Sequence, residues 1–203
     1  MSWNPSPLLS NAAIWRGRSV AQKDTVPTGF PALDARLPGG GWPQAALVEI
    51  LVTHLGSGEL QLLLPVLATL TSRPVARWCA WIAPPLEPYA PALAARGLNL
   101  AQLLVVRTGI AAWACEQALG SAACDVVLAW ITQPLPRIVR RLQLAAQRGR
   151  SLGFILRPAT SQALHEPSGA ALRLGVEPVV QGARITILRS RGGLQGSWLL
   201  NFN

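Results

Sequence analysis

Ala46-Leu47-Val48-Glu49-Ile50-Leu51-Val52-Thr53-His54-Leu55-Gly56-Ser57-Gly58-Glu59-Leu60 decides the fold. An almost wholly apolar run gives way to a small, glycine-containing loop and then to a helical pattern at 59–70. A strand apolar at successive rather than alternate positions is buried on both faces, as in a parallel sheet covered by helices. The loop stands where a strand-to-helix turn can bind phosphate. A working loop of that kind ends Gly-Lys-Ser/Thr, the lysine reaching the β/γ-phosphates and the hydroxyl holding magnesium. Here Gly56-Ser57-Gly58 is followed by Glu59 and Leu60. Glu59 reverses the lysine's charge and competes for the helix N–H groups as an internal cap, while Leu60 has no ligating atom. A degenerate nucleotide site is expected, with no cofactor.

Working outward, further apolar runs fall at 75–82, 103–106, 125–131, 152–157, 184–189 and 197–200, and helical patterns fit at 88–96, 111–119 and 135–148. Strand–helix–strand repetition predicts an α/β fold, a mainly parallel sheet flanked by helices. The last two runs, close together after a polar, Gly-containing stretch, read as a C-terminal β-hairpin on the sheet edge. Upstream, Pro27-Thr28-Gly29 is a turn, and a short helix at 30–37 ends at Pro38-Gly39-Gly40-Gly41. Residues 1–25 read as an N-terminal arm and 26–203 as one domain, with a basic β extension over 170–203. A water- or magnesium-positioning acid should end an apolar strand, yet Asp125 begins its strand and Trp130 ends it. Ala83-Pro84-Pro85 follows the second core strand, where a catalytic carboxylate is expected. The chain is therefore not expected to be an enzyme.

Half of the 203 residues are hydrophobic and 13% are charged. The apolar runs are shorter than the roughly 20 residues a membrane span needs, and no signal peptide is evident, so a cytoplasmic protein without membrane contact is expected. Net charge is +9, carried almost wholly by arginine, with Lys23 the one lysine. That excess suits nucleic acid or an acidic protein; GC-rich codon usage explains arginine in place of lysine but not the excess itself. Cys79, Cys115 and Cys124 have no metal-ligand spacing and read as buried free thiols.

Several phrases in order resemble the bacterial RecA recombinase core. They include Thr28-Gly29, Ala32-Leu33-Asp34, Val48-Glu49-Ile50, Cys79-Ala80-Trp81-Ile82, Gly97-Leu98-Asn99, Glu116-Gln117-Ala118-Leu119 and Asp125-Val126-Val127. The resemblance implies a RecA-like P-loop NTPase-type core. Within that superfamily, Trp15-Arg16-Gly17, Leu37-Pro38-Gly39-Gly40-Gly41-Trp42-Pro43 and Arg189-Ser190-Arg191-Gly192-Gly193 look most like ImuA, a RecA-like accessory protein of mutagenic translesion DNA synthesis. That resemblance implies SOS induction, with ImuB and an error-prone DNA polymerase as partners, beside self-association or RecA contact and direct DNA binding. The alternative is a chain similar to SulA, the SOS inhibitor of cell division that binds FtsZ.

Candidate binding residues follow from charge and aromatic placement. At helical spacing Arg137, Arg141 and Arg148 share one face, with Arg140 at its edge. Together with Arg150 this is either a solvated surface or a phosphate-binding face. Arg189 and Arg191 beside Gly192-Gly193 form a second nucleic-acid-binding candidate, or guard an edge strand. Trp15 and Arg16 read as part of a partner-docking arm or of a loosely packed leader. Trp42 reads as a partner contact or as a plug at the domain edge.

Overall fold

A computed structural model describes residues 24–56, 58–190 and 195–202. Short strands β1 (Thr25–Val26) and β2 (Trp42–Pro43) pair antiparallel and enclose α1 (Pro31–Asp34). The main sheet comprises β3 (Ala46–Val52), β4 (Trp78–Ile82), β5 (Leu103–Val106), β6 (Cys124–Trp130), β7 (Leu152–Pro158), β8 (Leu172–Val179), β9 (Gly182–Ser190) and β10 (Gly196–Asn201). The connecting helices are α2 (Glu59–Thr71), α3 (Ala90–Ala95), α4 (Ala111–Gly120), α5 (Pro136–Gly149) and α6 (Ser161–His165).

The sheet order is β10-β9-β8-β3-β7-β6-β4-β5. From β8 across to β5 the neighbours pair parallel, while β9 pairs antiparallel with both β8 and β10. The two faces bury different helices. Val48, Ile50, Phe154 and Trp81 pack with α2 through Leu62, Leu63, Val66 and Leu67, while Leu47, Ile82, Val127 and Ile155 pack with α4 and α5. Continuous burial along β3 and most of β6 and β7 matches the apolar runs that mark them in the sequence.

The glycines before β2 solve a packing problem. Gly39 and Gly40 take left-handed φ values of 81° and 78°, which glycine adopts without a Cβ penalty. Gly41 lies so close to the Val26 carbonyl that a Cβ has no room. The turn delivers Trp42 into the core, fully buried and edge-on to Phe154 at 5.1 Å between ring centroids. Thr28 closes the segment, its N–H donating to Asp34 Oδ1 at 2.9 Å. The same segment meets the end of the chain: Phe30 packs on Phe202, and the Arg36 guanidinium lies 5.1 Å from the Trp198 ring.

One expectation changes and one is extended. The helix expected at 30–37 is one turn, 31–34, and the antiparallel pair β9–β10 is joined to the sheet by β8, which continues the parallel order before β9 reverses. The arm expected over 1–25 falls largely outside the described residues, which begin at Asp24.

Candidate protein-docking surface

The carboxyl ends of β6, β4 and β5 lie side by side. After β4, Ala83 takes a φ of 51° and donates its N–H to the Val106 carbonyl at 2.8 Å. Pro84-Pro85, with no backbone N–H to pair, then lead to exposed Leu86 and Tyr89. Glu87 forms an ion pair with Arg107, just beyond β5. Thr108 Oγ1 accepts the Ile110 N–H at 3.1 Å, turning the chain into α4 with Ile110 and Trp113 outward. After β6, Leu135 stands exposed before Pro136, whose fixed φ suits the first turn of α5. Leu86, Tyr89, Ile110, Trp113 and Leu135 are each 52–76% exposed, a concentration of large apolar groups at one end of the sheet.

Between the starts of α4 and α5 these loops leave an open cleft of about 530 Å³. Ile110, Trp113, Ile131 and Ile138 line it with the edge of Trp130. Arg141 Nη2 donates to Glu116 Oε2 at 2.6 Å, joining the helices across the cleft. An apolar centre with a charged rim is the anatomy of a protein contact, and Trp and Arg are its commonest anchors.

The loop between β3 and α2 has a different chemistry. Glu59 is buried, and its Oε1 accepts the Gly56 N–H at 2.7 Å. The carboxylate of the helix's own first residue thus occupies a donor that a bound anion would need. Gly58, at φ 100°, ends the loop, and Leu60 points partly into the core; Ser57 lies outside the described residues. Asp125 stands at the opposite end of the sheet. It accepts the Arg77 N–H and Nε, both at 2.8 Å, while Arg77 Nη1 and Nη2 bond the carbonyls of Ala122, Gly149 and Arg150. Among the described residues no group of three or more His, Cys, Asp or Glu could hold a metal.

Residues 47–153, from β3 into β7, match the family model described as cell division inhibitor SulA. The chain belongs to the SulA family. Similar proteins include the cell division inhibitor SulA of Edwardsiella piscicida, 38% identical over 114 residues, 53% of this chain and 67% of that one. That of Photorhabdus laumondii is 36% identical over 101 residues, 48% of this chain and 56% of that one. The chain therefore spans little more than half to two thirds of these relatives' length. The crystal structure of SulA from Pseudomonas aeruginosa is 29% identical with a TM-score of 0.46, covering 55% of this chain and 98% of that one.

Family membership corrects four expectations. The assignment to ImuA gives way to SulA, and with it go the translesion-synthesis role and the implied partners ImuB and error-prone polymerase. The RecA-like P-loop NTPase-type core gives way to a SulA-type domain with a mixed sheet of eight strands. Its physical counterpart is the loop at 53–60, where the Glu59 carboxylate is folded back onto the backbone. The name of the SulA family is that of an inhibitor, not of a reaction. No helix among the described residues is long and apolar enough to cross a membrane.

The SulA-type fold scatters the candidate binding residues. Arg137, Arg140, Arg141 and Arg148 stand exposed on α5, and Arg150 caps its end at φ 53°. Arg189 lies on β9 at the far side of the sheet, away from α5, and Arg191 is outside the described residues, as are Trp15 and Arg16. Trp42, read as a partner contact or as a plug at the domain edge, is buried in the core against Phe154. All three cysteines are free and buried, and burial pushes the Cys79 and Cys115 thiols up to about 12.

Two features escaped the sequence reading. Trp113 falls within the helical pattern at 111–119 without a signal of its own, and only the fold brings it to Ile131 and Ile138. The second is a buried charge cluster. Glu49, wholly buried in β3, pairs with Arg157 of β7 at 3.2 Å and Arg173 of β8 at 3.3 Å, and Ser168 donates to it as well. Arg157 also reaches Glu166 at 3.2 Å, and Arg173 donates to the Ala163 and Glu166 carbonyls. A glutamate inside an otherwise apolar strand was the available signal, since a buried charge requires partners.

Proposed function

We propose that this protein is a cell-division inhibitor of SulA type that acts by binding the tubulin-like division protein FtsZ rather than by catalysis. The carrying observation is the family match over 47–153, a span that contains β3 to β6, α4, α5 and the whole carboxyl-end surface. That surface has the apolar anchors a protein contact requires, and the loop at 53–60 directs a carboxylate at its own backbone.

The test is an FtsZ assembly assay with GTP, followed by light scattering and sedimentation. The wild-type chain is expected to suppress assembly and to co-elute with FtsZ. Ile110→Asp with Trp113→Asp, both on exposed positions, is expected to abolish suppression while leaving the circular dichroism spectrum unchanged. A wild-type protein that neither binds FtsZ nor slows assembly overturns the reading. Suppression retained in the folded double variant moves the contact away from the cleft.

A further inference from the structure

We propose that the outer face of α5 binds an acidic, amphipathic segment of a partner protein, seating an apolar side chain on Leu144 and carboxylates on Arg137, Arg140 and Arg148. This surface adjoins the cleft at Arg141 but does not depend on the FtsZ reading.

The geometry of the helix sets out the site. At 3.6 residues per turn, Arg137, Arg140, Arg141, Leu144 and Arg148 fall within an arc of roughly 100°. All five are exposed, and Leu144 lies near the middle at 54%. Arginines at i−7, i−4, i−3 and i+4 thus ring one outward leucine. The opposite side of α5 is fixed by Val139, Leu142, Ala145 and Ala146, buried against the sheet and α4, so the face is presented on a rigid support.

Charge balance then selects the partner. No acidic residue occurs in α5. Most of the acids that the fold places elsewhere are engaged: Glu116 with Arg141, Asp125 with Arg77, Glu166 with Arg157, Glu177 with Arg184 and Glu87 with Arg107, while Asp24 lies near Arg150 rather than on this face. Arg137 also stands in the first turn, at the positive end of the helix dipole, where a cation is unfavourable and an acid would stabilise. Helix stability therefore does not account for it. A row of arginines alone would serve a phosphate backbone equally well. The exposed leucine inside the ring separates the two, because phosphate contacts make no use of it while a peptide with an apolar anchor does.

The experiment uses the full chain and a fluorescein-labelled amphipathic peptide of about 18 residues, five helical turns, with glutamates on one face and leucines on the other. Its comparators are the same peptide with Gln for Glu, and duplex DNA of equal net charge. Fluorescence anisotropy is expected to show salt-sensitive binding of the acidic peptide and weaker binding of both comparators. R137E/R140E/R148E is expected to lower peptide affinity by tenfold or more, and Leu144→Ser to lower it by about threefold to tenfold with charge unchanged. If the triple variant does not fold, R137Q/R140Q takes its place, with the same direction expected. Three outcomes overturn the proposal: no binding of the acidic peptide, tighter binding of the duplex, or full binding by Leu144→Ser. The second would make the face a site for nucleic acid, and the third a charge-only surface.

Discussion

Arg157 and Arg173 lie inside the sheet, and Arg137 and Arg140 stand on the outer face of α5; the side chain is the same and its work is opposite. The inner pair surrounds Glu49 and closes the seam between β3, β7 and β8, with backbone carbonyls and Ser168 completing the set. The outer pair has no carboxylate partner among the described residues. A count of arginines and a net charge of +9 cannot distinguish the two groups. What distinguishes them is whether an acid on a neighbouring strand faces them, which is a property of the strand register: Glu49 stands directly opposite Arg173 across the β3–β8 ladder.

Four changes break or sharpen that contrast. Glu49→Ala leaves the buried Arg173 guanidinium without a carboxylate and Arg157 with Glu166 alone, and is expected to cost about 3–5 kcal/mol. Urea denaturation measures it, and a loss below 1 kcal/mol would falsify the claim that the cluster depends on Glu49. Arg77→Ala, which opens the clip at the amino end of the sheet, is expected to cost about 1.5–3 kcal/mol. The thiols give a pH test. Cys79 and Cys115 keep their protons to about 12 in the folded state against a usual 9.0. Above pH 9 the unfolded chain releases protons that the folded chain retains, so stability falls, by about 1 kcal/mol per thiol per pH unit, until pH 12. C79A/C115A should flatten this slope in melts run from pH 8 to 10. The smallest effect belongs to the outer face: Arg137→Glu, which places an acid at the start of α5, is expected to raise stability by about 0.3–1 kcal/mol. A destabilised Arg137→Glu would mean that this arginine serves the fold after all.

Much of the sheet was legible because most of its strands read as continuous apolar runs: 46–52, buried throughout, and 103–106, a half-exposed edge strand, both emerge with the expected bounds. β8 was not, because Arg173, Gly175, Glu177 and Pro178 interrupt its pattern. Arg173 finds its counter-ion in Glu49, a partner more than 120 positions away. The cleft was hidden for a similar reason. Its walls come from 109–116, 130–132 and 138–141, and no local periodicity links them. The phrases that suggested ImuA, at 15–17, 37–43 and 189–193, all lie outside the span that matches SulA. At least the glycines of 39–41 answer to the backbone geometry of a turn, a requirement many unrelated chains share.

Gly149, near the end of α5, rests directly on the Leu119 carbonyl, and the Arg148 guanidinium lies against Gly120. The carboxyl-terminal ends of α4 and α5 therefore meet backbone to backbone, while their amino-terminal ends diverge around the cleft. The two helices are thus fixed twice, by backbone contact at one end and by the Glu116–Arg141 ion pair across the cleft at the other. A single methyl group at position 149 would meet the Leu119 carbonyl, so Gly149→Ala should shift one helix against the other and reshape the cleft without touching any residue that lines it.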